Sequence, residues 1–152
     1  MALEKPERFI ITCYGHNTAS ELTRGKYYWS NKLFTDERFP LEKHASYKRV
    51  IEPVEFDHHC STEDVVNEWR RRELLRPTYE DALYFGVQQH EAYARRPWIF
   101  LHHPVDAPGS GCTGSFQRYI VLYSFNGMRV IDLYVDDGWI KFCLFAGIRV
   151  EN

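Results

Sequence analysis

Apolar and polar positions along this chain fall into short strand-like runs, with one stretch of helical spacing between them. Phe9–Tyr14 (FIITCY) is β-branched and aromatic and is followed by Gly15, which predicts a first strand. Residues 16–25 are polar and rich in turn formers, so they read as a loop. Lys26–Phe34 predicts a second strand, and residues 35–46, broken by Pro40 and charged positions, a long connection. Tyr47–Phe56 alternates Tyr47, Arg49 and Ile51 against Lys48, Val50 and Glu52. Pro53 lies inside that run and has no N–H to give a ladder, so an edge strand or a bulge is expected there.

The period then changes. Ser61 or Thr62 is placed to cap a helix, and Glu63 and Asp64 suit the positive end of its dipole. This helix is expected to run to about Arg76, where Pro77 stops it. Thr78, with Asp81 three residues on, predicts the cap of a second helix. Tyr79, Ala82, Leu83, Gly86, Val87, His90, Tyr93 and Ala94 fall on one face of it. A glycine on that stripe implies close approach to the sheet, and His90 on the apolar face reads as a hydrogen-bonded core histidine.

Strand signals return in the last third. Trp98–His103 predicts a strand, and residues 104–114 a long Gly-rich connection. Phe116–Phe125 is apolar on both faces, as a central strand would be. Asn126-Gly127 predicts a type I′ hairpin turn, because both central residues must take positive φ. Met128–Val135 alternates, Asp137-Gly138 predicts another such turn, and Trp139–Val150 would close the meander. The expected fold is α+β: an antiparallel sheet ending in a three- to four-stranded meander, with two helices packed on one face. No repeat or linker interrupts the chain, so one domain is expected over residues 1–152.

Composition narrows this picture. Aromatic residues make up 16% of the chain, which favours a sheet and supplies material for a binding surface. The formal net charge of −2 argues against a protein living on phosphate contacts, so nucleic acid is not the expected partner. Cys13, Cys60, Cys112 and Cys143 are widely spaced, and three of the four sit in or beside apolar runs. They read as reduced thiols of a cytoplasmic protein. Met1–Glu7 carries charge without an apolar stretch, and no run approaches the roughly 20 apolar residues of a membrane span.

Five constellations carry possible chemistry. Gly109, Ser110, Gly111, Thr113 and Gly114 offer backbone N–H groups and hydroxyls to a small ligand, although no P-loop lysine accompanies them. If the flanking strands pair, His102 or His103 lies near Cys112, with Asp106 placed to orient the imidazole; that is the minimum for a thiolate nucleophile. His-x-Ser/Thr recurs at His16–Thr18, His44–Ser46 and His59–Ser61, a pattern that phosphoester chemistry uses on paired strands. His58 and His59, with Asp57, would form half of a zinc or iron site if they met His102, His103 and Asp106. Arg70, Arg71, Arg72 and Arg76 with Trp69, then Arg95 and Arg96, form a basic and aromatic set of the kind that can hold single-stranded nucleic acid, but Glu68 and Glu73 interleave, as on a solvated helix face.

No motif names a cofactor. The expected function is a non-catalytic binding protein, taking a small ligand or a protein partner through the Gly-rich loop, Arg118 and the aromatic segment Tyr27, Tyr28 and Trp29. A small Cys/His- or metal-dependent hydrolase is the alternative. Homo-oligomerisation through a sheet edge is a further expectation, because the closing strand is apolar on both faces and needs cover.

Overall fold

Among the described residues seven strands pair into one sheet, and the stretches between them supply four helices. The structure is a computed structural model that describes residues 7–108, 115–135, 139 and 142–150, the side chains of 104–108 and 115–117 excepted. In chain order the elements are β1 (Phe9–Cys13), α1 (Thr18–Gly25), β2 (Trp29–Ser30), β3 (Tyr47–Glu55), α2 (Thr62–Arg72), α3 (Tyr79–Gln88), α4 (His90–Arg95), β4 (Trp98–Pro108), β5 (Ser115–Phe125), β6 (Met128–Tyr134) and β7 (Leu144–Arg149). The strand order is β1-β3-β7-β4-β5-β6-β2. The sheet is mixed, since β4 pairs with β7 and β2 with β6 in parallel.

The meander is therefore β4-β5-β6, and β7 does not close it. That strand crosses back to lie between β3 and β4. Its apolar residues face both ways, and the centre of the sheet is where both faces are buried: Phe145, Ala146 and Ile148 are all at most 2% exposed. The strand expected to need an oligomeric partner is thus covered within the chain, and the edges are β1 and β2. At the β1 edge the Gln88 amide pairs with both the N–H and the C=O of Thr12, and Gln89 donates to the Ile10 carbonyl. These amides satisfy backbone groups that a bare edge would leave open.

The helices cover both faces. Val65 and Trp69 of α2 pack with Val54, Ile99, Leu101 and Phe145 on one side. Leu83, Phe85 and Tyr93, from α3 and α4, pack with Ile11, Phe100, Ile120 and Leu133 on the other. The two-helices-on-one-face arrangement fails because strands alternating apolar residues to both sides need cover on both.

Residues 18–25 are a helix, where a loop was expected. Asn17 caps α1 through the Ser20 N–H. Only Thr18, Glu21 and Gly25 of α1 are buried, a stripe too polar for hydropathy to reveal. The second strand shrinks to Trp29–Ser30, because Phe34 and Phe39 turn into the core. In β3, Pro53 lies beyond the last residue paired to β1, Ile51, so its missing N–H falls on an open side.

Both helix starts behave as their sequence implies, with reciprocal capping boxes at Ser61–Asp64 and Thr78–Asp81. Their ends differ. α2 stops at Arg72, because Glu73 turns left-handed (φ 59°), which sends Leu74 into the core and Leu75 to a bridge with Ile148. The long second helix breaks at Gln89, where the amide contacts to β1 pull the chain aside. Gly86 is required: a Cβ there would overlap the Tyr27 hydroxyl and lie 3.1 Å from Leu122. The hairpin turn at Asn126 (φ 51°) and Gly127 (φ 79°) has the positive φ values its sequence demands. No described helix is long and apolar enough to cross a membrane.

Candidate functional site

The β4–β5 pairing extends to Pro108 and Ser115, which shortens the expected loop from both ends. Gly109, Ser110, Gly111, Cys112, Thr113 and Gly114 lie outside the described residues, as do Asp137 and Gly138. Within the pairing the register shifts: Phe100 opposes Ile120, but Val105 opposes Arg118, so Leu101 to Pro104 bulge opposite Tyr119 alone.

His102 fills this bulge and is 0% exposed. Its Nδ1–H donates to the His103 carbonyl at 2.7 Å, and its Nε2 accepts the Ile120 N–H at 3.1 Å. The imidazole thus replaces the ladder bonds that the bulge removes. Burial pushes its pKa down to about 4, so the ring is neutral at ordinary pH. With both nitrogens committed to backbone, His102 has none left to activate a thiol. Asp106 lies on β4, in the part described by backbone alone.

His103 turns outward and meets Arg76, whose Nη1 donates to its Nδ1 at 3.2 Å, leaving the ring proton on Nε2. The Arg76 guanidinium also lies over the Trp69 ring, 5.7 Å from its centroid. These groups line a groove of about 420 Å³ with Val66, Arg70 and Leu74. Local sequence explains the gathering. Val66, Trp69 and Arg70 are spaced i, i+3 and i+4 on α2, so they share a face. The left-handed turn at Glu73 then folds Leu74 and Arg76 back toward that face.

The groove holds donors in excess. Trp69 is 4% exposed and its Nε1–H has no partner, whereas the Trp98 and Trp139 indoles donate to the Ala92 carbonyl and the Thr62 hydroxyl. Neither Arg70 nor Arg76 has a carboxylate partner among the described residues; Arg70 reaches only the Asn67 amide, at 3.4 Å. The neighbouring Arg71 and Arg72 are instead both bound by Glu68, whose carboxyl these contacts hold down to about 2.

A larger cleft of about 1030 Å³ gathers Arg71, Arg72, Arg95, Arg96 and Arg149. Its charge is compensated from within. Arg149 holds the buried Glu52 at 2.9 Å, Arg96 holds Glu55 at 2.9 Å, and Glu7 and Glu91 also line it. An anion entering there would meet carboxylates as well as guanidiniums, so the larger cavity is the weaker candidate.

His44 packs against Gly15, the residue before His16: a Cβ on Gly15 would lie 2.6 Å from the His44 carbonyl oxygen. Both rings are backed by carboxylates, His16 Nδ1 by the buried Glu21 at 2.8 Å and His44 Nε2 by Glu80 at 2.5 Å. However, His44 Nδ1 also bonds the Ala45 carbonyl; both nitrogens then donate, and these contacts raise its pKa. Thr18 is buried and donates to the Phe39 carbonyl. A reaction needing two free histidines and a free hydroxyl is therefore not set up here.

The remaining expected positions scatter. His58 and His59 are exposed beyond the end of β3, at the end of the sheet where β4 begins, so they do not converge with His102 and His103. Among the described residues no group of three or more His, Cys, Asp or Glu is placed to hold a metal ion. Tyr27 is partly buried, its hydroxyl set against Gly86 of α3, whereas Tyr28 and Trp29 are 66% and 46% exposed at the β2 edge. Arg118 is half-buried and shares the face of Ile120, opposite the groove. His103, Arg70, Arg76 and Trp69 all stand out in the sequence, His103 as one of a histidine pair and the others as a basic and aromatic set. The signal not used was the i, i+3 spacing of Val66 with Trp69, which puts an apolar side chain beside that set. No family model, curated protein or solved structure matches the chain.

Proposed function

We propose that this chain is a non-catalytic binding protein that captures a small ligand in the groove between α2 and the bulged part of β4. One observation carries the reading: the guanidiniums of Arg70 and Arg76, which have no carboxylate partner among the described residues, gather at a groove whose apolar side chains are Val66, Trp69 and Leu74. A bound anion would supply the charge-assisted partner they lack. The volume, about 420 Å³, suits a small molecule.

Saturation-transfer NMR with a mixture of aromatic and aliphatic fragments tests this. Wild type should show transfer to a subset of them, and Val66→Phe, which fills the groove from the exposed side of α2, should abolish it. Transfer that survives Val66→Phe unchanged would place the site elsewhere.

The rival reading is a small hydrolase, and its best support is now His16. Its Nε2 has no partner among the described residues, while Nδ1 is held by buried Glu21, the arrangement of a general base. An esterase activity lost in both His16→Gln and Glu21→Gln, with the fold intact, would favour it. Equal activity in wild type and variants would end it.

A further inference from the structure

We infer that the ligand of the groove is a small carboxylate with a flat apolar body. The inference rests on the groove being the binding site and goes on to name the chemistry it selects.

Charge comes first. Among the described residues Arg70 and Arg76 are the cations of the groove without a carboxylate partner, and none of its lining is acidic. An anion entering here meets no like charge among them, in contrast to the larger cleft, which Glu52, Glu55 and Glu91 also line. Arg76 is further held in place, since its guanidinium rests on the Trp69 ring and its Nη1 is bound to His103. A planar guanidinium fixed in this way presents its remaining N–H groups with little freedom to lose, and a carboxylate can accept two of them side by side.

Shape comes second. Val66 and Leu74 are the apolar side chains of the lining beside Trp69. A bare phosphate or sulfate would leave that surface wet, whereas a ring or a short branched chain would cover it. The Trp69 ring is part of the lining, so its indole N–H resonance reports on what binds there.

Benzoate and benzamide provide the test, because they share shape and differ in charge. The readout is the Trp69 indole N–H resonance, assigned by triple-resonance experiments and followed through titration with each probe. Benzoate should bind about tenfold to hundredfold more tightly than benzamide, the range expected for charge-assisted hydrogen bonds. The double variant Arg70→Gln, Arg76→Gln should bring the two probes to equal, weak affinity. If both probes bind equally to wild type and Val66→Phe abolishes both, the groove is a binding site and the carboxylate inference is wrong. If neither probe moves the Trp69 resonance, the groove reading falls and takes the inference with it.

Discussion

Mild acid should destabilise this protein through His102. The ring is fully buried and neutral, and its native pKa lies at about 4 against an ordinary value of 6.5. Between those values the unfolded chain binds a proton that the native protein refuses. Stability from this group is therefore complete above about pH 6.5 and is lost as the pH falls toward about 4. The full shift corresponds to roughly 3 kcal/mol, and about 2 kcal/mol of it is gone by about pH 5. A protonated Nε2 would also point a hydrogen at the Ile120 N–H that it now accepts.

Urea unfolding at about pH 7.5 and pH 5, followed by tryptophan fluorescence, measures the difference. His102→Gln keeps a donor and an acceptor but does not titrate, so its loss between the two pH values should be smaller than that of wild type by about 2 kcal/mol. His102→Leu should cost roughly 1–3 kcal/mol at neutral pH for each backbone group it strands, those of His103 and Ile120, and should also flatten the pH dependence. If wild type and His102→Gln lose the same stability over this interval, His102 is not buried and neutral as described.

Other consequences are checked more simply. Gly86→Ala should lower stability by roughly 1–3 kcal/mol in a thermal melt, because the new Cβ overlaps the Tyr27 hydroxyl, and Tyr27→Phe should relieve part of that cost. Asp81→Ala should destabilise by roughly 3–5 kcal/mol in urea, since this fully buried carboxylate holds Arg49 by two bonds and caps α3. Cys13 and Cys143 should resist iodoacetamide in the native protein near neutral pH, burial having pushed the Cys13 thiol up to about 12 and raised Cys143; mass spectrometry of labelled peptides reads the result.

Much of the local structure is legible in the sequence. Ser61–Asp64 and Thr78–Asp81 announce their capping boxes and Asn126-Gly127 its turn, because each depends on chemistry within a few residues, whereas Pro53, expected on an edge strand or a bulge, sits in an interior strand in regular register with Ala146. Strand partners are not encoded that way. The pattern of Leu144–Arg149 states that both faces are buried, and it is silent on which strands lie beside it. The polar stripe of α1 escapes hydropathy because Thr18 and Glu21 are buried through hydrogen bonds. The site is half-legible for the same reason. His103 stands out as one of a pair at a strand end, but its neighbour His102 turns inward only because the register of β4 shifts. Arg76 reaches Trp69 only because Glu73 adopts a left-handed turn that residue type alone does not foretell.

The most direct test of the groove is a crystal structure of the protein soaked in benzoate. Density for the ring against Val66 and Leu74, with the carboxylate within hydrogen-bond distance of Arg76 or Arg70, is the predicted result. An empty groove, with benzoate bound in the larger cleft or nowhere, would contradict the account.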